Sequence, residues 1–557
     1  FSNSNIHTNS NGVSINMRYG QPGVKDASLS YTSNMGELFY RLSFNHVQDD
    51  GFDVTSDGIE RRDSINVNHL TFKGSYSIND TSELDFELGH TDHEQQEQFI
   101  VSFQNDFPDY EQRVLRGSLK YTNDINSNHN LQVFTYFKLF DQIQSWNGNV
   151  PAYLSSPELG NLSLINSDYA NAIASGNNPI GSGGGELADM QAIAALTQIS
   201  SIGALAFVPI NLDVPQNFSA DQFEIEIQDT LAVTDRFRLL TGASIRQVNT
   251  SSFQWVINGE RNLTTYNAFA NVEWKVNDNL LINGGSMYEY DKESGSTFSP
   301  RLAFSYHIND EHSLRYVYSQ ATRKPDIFEQ FADWRLIGKN YSFNPWGENP
   351  DFLTFYARGV SPGGLESEKI TSNEIGYYYV NSSIKTDVDV RYFREDLTKL
   401  ISEKLELRNF NPTNNGYAMK QGVDFQTKTS ITEDLMFSLS YSYIDTDSVV
   451  LEKTISPRHI GSASFVYDVS SQFSVALSYY GFSKVLAPSP SSTPDVITTT
   501  KPLNTLDCTL RWKSLSKRFS NLNLFLQSRL RNDNAEVQKD NIYSDRLSTT
   551  IGLSVDI

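Results

Sequence analysis

The chain has 557 residues, 38% apolar and 12% aromatic, a single cysteine and a formal net charge of −22 at pH 7. That acidity excludes a nucleic-acid binder, which gains affinity by setting Lys and Arg against phosphates. Cys508 alone excludes a disulfide framework and reads as a strand residue.

Along the chain, stretches of about ten to fifteen residues alternate apolar and polar, the period of an extended strand with two unlike faces. In the first clear example Leu38, Tyr40, Leu42 and Phe44 share one face while Glu37, Arg41, Ser43 and Asn45 share the other. The parity returns in Leu131, Val133, Phe137 and Leu139 opposite Gln132, Tyr136 and Lys138. It returns again in Leu435, Phe437, Leu439, Tyr441 and Tyr443 opposite Ser438, Ser440 and Ser442. A helix would need a period near 3.6.

The predicted strands start near Asn11, Lys25, Gly36, Asn66, Ser82, Tyr110 and Asn130, before a long connection at 149–216. The next start near Asn217, Arg236, Asn262, Asn279, Phe298 and Glu311, before a second long connection at 322–365. Glu366 and Ser383 precede a loop at 401–414, and Tyr417, Asp434, Arg458 and Gln472 precede one at 486–500. Lys501, Ser520 and Tyr543 complete the set. Within the first long connection, Met190 to Ile210 is fairly apolar, but Gln191, Thr197, Gln198, Ser200 and Ser201 interrupt it and Pro209 closes it. It reads as an ordered loop segment with helical character rather than a spanning helix.

Turns after even strands are short and polar: Ile78-Asn79-Asp80, Thr234-Asp235, Val276-Asn277-Asp278, Ile308-Asn309-Asp310 and Thr432-Glu433-Asp434. Asn and Asp tolerate turn backbone. Long connections follow odd strands. The expected fold is therefore all-β: a transmembrane antiparallel β-barrel of about 22 strands over residues 1–557, with short periplasmic turns, long extracellular loops and both termini in the periplasm. With no leader before Phe1, the chain reads as a processed or truncated product.

Candidate ligand contacts concentrate in the loop from Thr322 to Leu365. Arg323, Asp333, Trp334, Arg335, Tyr341, Trp346, Asp351, Tyr356 and Arg358 are of the types that dominate binding hot spots. The bland alternative for any one of them is packing on a neighbouring loop. In the longer loop, Gly181-Ser182-Gly183-Gly184-Gly185 lacks the Lys-Ser/Thr of a phosphate cradle and reads as a flexible hinge. His90, Asp92, His93 and Glu94 have metal-ligand side chains, yet strand parity turns His93 away from the others, so no metal site is expected there. Asp49, Asp50, Asp53 and Asp57 lack the order of a calcium loop and read as a solvated segment. No nucleophile context marks an enzyme, and no cofactor is called for.

Several local patterns resemble the barrel of a TonB-dependent outer-membrane receptor. They are Ser299-Pro300-Arg301, Arg323-Lys324-Pro325 with Glu329, Glu368 with Glu374-Ile375-Gly376, Gly422-Val423-Asp424 and Pro457-Arg458-His459. The closing Thr550-x-Gly552-x-x-Val555-x-Ile557 is similar to an outer-membrane assembly signal, with Ile557 in place of the usual aromatic. Leu365-Glu366-Ser367-Glu368 departs from the family's Leu-x-Pro-Glu.

The resemblance implies an integral protein of the Gram-negative outer membrane, touching its lipid and lipopolysaccharide. It implies import of a scarce small molecule with energy from the TonB complex acting through a plug in the lumen. Iron-siderophore-like chelates lead the candidate cargoes, with cobalamin, haem and glycans as others, and the longest loop would act as a lid. The plug itself is expected to be absent from this chain, either as a missing N-terminal part or as a separate polypeptide. The alternatives are a passive porin or a surface-binding or adhesion barrel without a plug. A soluble β-propeller or sandwich is disfavoured by the lack of a blade-length repeat and by a lipid-facing parity that it would waste.

Overall fold

The computed structural model describes residues 11–55, 58–97, 103–106, 109–347, 351–402, 410–449, 456–488, 497–514, 522–533 and 541–557. Asp57 and the expected strand start at Ser520 lie outside the described residues.

Twenty-two strands form one closed antiparallel sheet. Its first sector comprises β1 (Gly12–Gly20), β2 (Val24–Met35), β3 (Leu38–Asp49), β4 (Ile65–Asn79), β5 (Ser82–Gln95), β6 (Tyr110–Asn126) and β7 (His129–Ile143). The sheet leaves aside an outer hairpin of β8 (Ser145–Pro151) and β9 (Pro209–Pro215). It continues with β10 (Phe218–Thr234), β11 (Phe237–Ser251), β12 (Glu260–Lys275), β13 (Leu280–Asp291), β14 (Gly295–His307) and β15 (His312–Arg323). A second outer hairpin, β16 (Asp333–Gly338) and β17 (Leu353–Val360), separates these from β18 (Glu368–Asn381), β19 (Thr386–Leu400), β20 (Gly416–Ser430), β21 (Leu435–Ser448), β22 (His459–Asp468) and β23 (Phe473–Phe482). After a small pair, β24 (Leu486–Pro488) and β25 (Ile497–Thr499), the wall ends with β26 (Leu503–Lys513), β27 (Asn523–Arg531) and β28 (Leu547–Asp556).

Closure runs from Ser14↔Asp556 to Gly20↔Thr550 between β1 and β28. With that seam paired, the barrel has no free sheet edge in the hydrocarbon layer, where an unpaired N–H or C=O would cost several kcal/mol. Among the described residues no helix is long and apolar enough to span a membrane.

Outward rows are apolar and bare: Leu88, Phe223, Ile227, Ile375 and Ile551 are 50–58% exposed. Only acyl chains make such a surface favourable. Inward rows are charged and paired across neighbouring strands. Lys73 and Arg116 reach Glu87 at 2.9 and 3.2 Å, Lys120 reaches Asp85 at 3.1 Å, and Arg529 reaches Asp507 at 2.8 Å. Arg315 forks onto Asp389 through two bonds of 3.0 Å, crossing the next strand at Gly376, where a Cβ would lie 2.5 Å from its Nε. That passage is the physical reason for glycine in Glu374-Ile375-Gly376.

From β2 through β23 the inner-rim reversals are two to four residues long. Asparagine closes them: the carboxamides of Asn79, Asn126, Asn277, Asn309 and Asn381 each accept the N–H two residues on, at 2.9–3.0 Å. Thr234 and Thr432 do the same with a hydroxyl.

The apolar core of the molecule lies outside this cylinder. Three helices fill the 144–217 connection: α1 (Pro157–Ile165), α2 (Ser167–Ala174) and α3 (Glu186–Ser201). Proline opens α1, where no N–H is needed, and the Ser156 hydroxyl accepts the Leu159 N–H. Asn166 ends α1 and caps α2 by accepting the Tyr169 N–H. Leu159, Leu162, Ala192, Ala195 and Ile210 are fully buried between these helices and the two outer hairpins. The two outer hairpins are separate two-stranded sheets, linked by one isolated bridge in which Asp213 and Lys339 exchange backbone bonds of 2.9 and 2.7 Å. The glycine run expected to be a hinge is instead pinned. Gly181 N–H donates to Asp189, Gly184 N–H donates to the Tyr169 hydroxyl, and positive φ at Gly181, Gly183 and Gly185 makes the turn into α3.

Candidate ligand site

The β16–β17 hairpin carries most of the predicted contacts. Asp333, 3% exposed, accepts the Arg358 guanidinium through both carboxylate oxygens and lies 3.8 Å from Arg335. One carboxylate thus faces two guanidinium groups. Arg335 lies 5.0 Å over the Phe253 ring, and its Nε is buried without a hydrogen-bond partner. Burial pushes the Arg335 guanidinium below the ordinary arginine value, with Asp333 opposing and Arg358 adding to the shift. Within the hairpin Asp333 bonds Arg358 directly and Arg335 only at longer range.

Next to these arginines is a cavity of about 530 Å³. Ser155, Pro157, Glu158, Asn161, Leu164 and Gln198 line it from the helical side; Arg335, Asn344, Trp346, Phe352, Phe355 and Arg358 line it from the hairpin side. Trp346 spans the two, donating its indole N–H to the Ser155 hydroxyl at 3.1 Å. Tyr356 adds an edge but is 2% exposed, its hydroxyl tied to Asn171 at 3.1 Å. Charged forks, amides and rings together suit a ligand with an anionic, oxygen-rich head and a planar body.

The nine predicted residues therefore separate by place. Arg335, Trp346, Tyr356 and Arg358 border the cavity. Asp333 lies beneath it as the counter-charge. Trp334 stacks on Trp255 at 4.8 Å and 16°. Tyr341 packs against the apolar core, and Asp351 is exposed near the start of β17. Arg323 sits apart at the barrel rim, where it forks onto Glu329 at 2.9 Å and bonds Glu368.

Arg323-Lys324-Pro325 with Glu329 is a rim clamp. Glu329 also accepts the Asp326 N–H, and Asp326 caps α4 (Ile327–Phe331) by accepting two N–H groups at 2.8 Å. Burial pushes the Asp326 carboxyl up. Lys324 reaches Glu289 at 3.0 Å and the fully buried Asp291. Two other motif positions, Glu374 and Asp424, meet on Arg391 in the lumen, at 3.2 and 2.5 Å.

The helical side of the cavity was not foreseen: Ser155, Asn161 and Gln198 carry no motif, and only their packing against a hairpin far along the chain makes them a wall. His90 bonds Asp92 at 3.0 Å while His93 bonds Gln112 at 3.1 Å. Among the described residues no group of three or more such side chains could hold a metal ion.

Residues 37–528 match the family described as TonB dependent receptor-like, beta-barrel. Similar solved structures include the siderophore receptor PirA from Acinetobacter baumannii (12% identity, TM-score 0.70, covering 99% of this chain and 81% of that one). Others are the FrpB iron transporter from Neisseria meningitidis (12%, 0.68, 99% and 83%) and the ferric-catecholate import receptor Fiu from E. coli K12 (10%, 0.67, 99% and 82%). At such identities the likeness is one of fold. No curated protein sequence matches the chain. With its closed 22-stranded wall and a family match across most of its length, the chain belongs to the TonB-dependent receptor β-barrel family, whose members are transport receptors rather than enzymes.

Proposed function

We propose that this protein is an active-transport receptor of the Gram-negative outer membrane. It binds an iron-siderophore-like chelate and imports it with TonB-derived energy through a plug domain in the lumen. The observation that carries the reading is the roofed cavity in which Arg335 and Arg358 share one buried carboxylate beside Trp346, Phe352 and Phe355. An anionic chelate held on the hairpin side, away from Glu158 on the helical wall, gives Arg335 the close counter-charge that Asp333 gives Arg358. Siderophore and iron receptors stand among the similar structures, which supports iron over cobalamin, haem or glycan as cargo.

The helical segment and the β16–β17 hairpin together act as a lid over the vestibule, and Arg335, Trp346 and Arg358 make the first ligand contacts. The paired charges of the lumen wall suit a proteinaceous filling better than an open water pore, which favours a receptor over a passive porin or an adhesion barrel.

Tryptophan fluorescence of the purified protein, titrated with ferric catecholates, ferric hydroxamates, haem and cobalamin, tests the cargo. Quenching by one ferric chelate, weakened at least tenfold in Arg335→Gln, is expected. Uptake of that chelate by cells that continues after collapse of the proton-motive force would overturn the energised mechanism.

A further inference from the structure

We propose that the cargo is dipolar: beside the anionic oxygens that meet Arg335 and Arg358, it carries a protonated amine that pairs with Glu158. This rests on the chelate reading above and narrows it. Glu158 belongs to the helical wall of the cavity, and the two arginines belong to the hairpin wall. The spacing of the walls is fixed, because α1 packs directly on β17 and the Trp346 indole bonds Ser155. The two walls differ in sign. The whole connection at 144–217 contains no Lys, Arg or His, yet carries Glu158, Asp168, Glu186, Asp189 and Asp213. No residue of that connection can therefore neutralise Glu158. The arginines of the hairpin wall turn to Asp333 instead, and among the described residues Glu158 forms no ion pair.

Neighbouring amides hold this carboxylate in place by one oxygen only. Glu158 lies in the first turn of α1, where the helix favours a negative charge. The Gln191 carboxamide donates to its Oε2 at 2.6 Å, and the Asn161 carboxamide donates to the same oxygen at 3.4 Å. Gln191 is itself anchored by donating to the Glu158 backbone carbonyl at 3.2 Å. A carboxylate accepts at both oxygens, and Oε1 has no hydrogen-bond partner among the described residues. A neutral donor from the cavity would fill that oxygen; a protonated amine fills it and neutralises the charge as well.

Two poles of opposite sign, with Trp346, Phe352 and Phe355 on the lining, also fix the direction of the ligand. Its anionic oxygens go to the hairpin and its amine to the N-terminal turn of α1. The reverse orientation sets like charges against each other on both walls, which costs several kcal/mol in general. Glu158 is thus a specificity-determining residue: it selects chelates with an ammonium arm from those that are anionic throughout.

Tryptophan fluorescence of the purified protein tests the assignment with two probes. One is the ferric complex of Nα-(2,3-dihydroxybenzoyl)lysine, which keeps a free ε-ammonium; the other is the ferric complex of its Nε-acetyl derivative, in which that charge is gone. The ammonium form is expected to bind about fivefold more tightly, the effect of one half-exposed ion pair. The preference should vanish in Glu158→Gln and shrink in Glu158→Asp. It should persist in Glu186→Gln, which removes an exposed carboxylate of the same segment outside the cavity lining and so reports the general field of an acidic chain. Equal affinity for the two probes in the unsubstituted protein overturns the amine while the chelate reading stands, as does a preference that survives Glu158→Gln or is lost in Glu186→Gln. Binding of neither probe, with no other ferric chelate bound, overturns the chelate reading and the amine together. Circular dichroism reports that the helices of each variant are folded, and the comparison of the two probes on the unsubstituted protein decides the matter if Glu158→Gln does not fold.

Discussion

Asp333 is the residue on which the candidate site turns. Its carboxylate neutralises one of two guanidinium groups, so Asp333→Asn leaves both without a counter-charge in a half-buried place. A local loss of about 2–3 kcal/mol is expected, the cost of breaking a buried pair discounted for the exposure of Arg358. Hydrogen exchange at the β17 amides reads it, and unchanged protection there would refute the role given to the pair. Asp213 offers a pH handle on the neighbouring outer hairpin. Hydrogen bonds from Asn340 and Asn147 hold its carboxyl below the usual carboxylate range. A depressed carboxyl stabilises the fold fully above its unfolded value, and that contribution disappears as pH falls through the folded value. The reciprocal Asp213 and Lys339 amide bonds should therefore lose protection below about pH 4, and Asp213→Asn should flatten the dependence. Residue type alone could nominate Arg335 and Trp346 as contacts. It could not tell them from Asp333 or Tyr356, because Tyr356 is buried by helices more than a hundred residues away and Asp333 by its own hairpin and the segment at Trp255.

Among the elements, the barrel strands were the legible ones. Parity and asparagine turns set their order and number, and starts such as Ser82 and Tyr110 agree with the structure, while Phe298 and Tyr543 miss β14 and β28 by three and four residues. Alternation is visible because each wall strand separates two unlike solvents. β8, β9, β16 and β17 were invisible for the converse reason: they are short and enclosed by the outer helices and neighbouring loops, and β8 finds its partner only beyond the three helices. The helical segment has its own apolar interior, so it should lose structure independently of the wall. Leu159→Ala is expected to cost that unit about 2–4 kcal/mol, seen as an earlier helical transition in circular dichroism. Barrel mobility on unheated gels should stay the same, and a matching fall in barrel stability would contradict the separation.

For the whole molecule, the decisive fact is that neighbouring positions on one strand live in different media. Leu439→Arg places a cation against the hydrocarbon and should cost about 2–4 kcal/mol near the midplane, while Ser440→Arg, turned to the lumen, should be tolerated. Denaturant titration of both variants in lipid vesicles measures the difference, and equal penalties would reverse the facing assigned to β21. The inner rim has a mechanical consequence. From β2 through β23 it is built largely of asparagine-locked reversals of two to four residues, which in that sector leave little protein beyond the bilayer. Under the proposed function, a motor pulling from that side finds little to grip on this sector of the cylinder, so traction is expected to enter along the axis, on whatever is threaded through it, while the wall stays still.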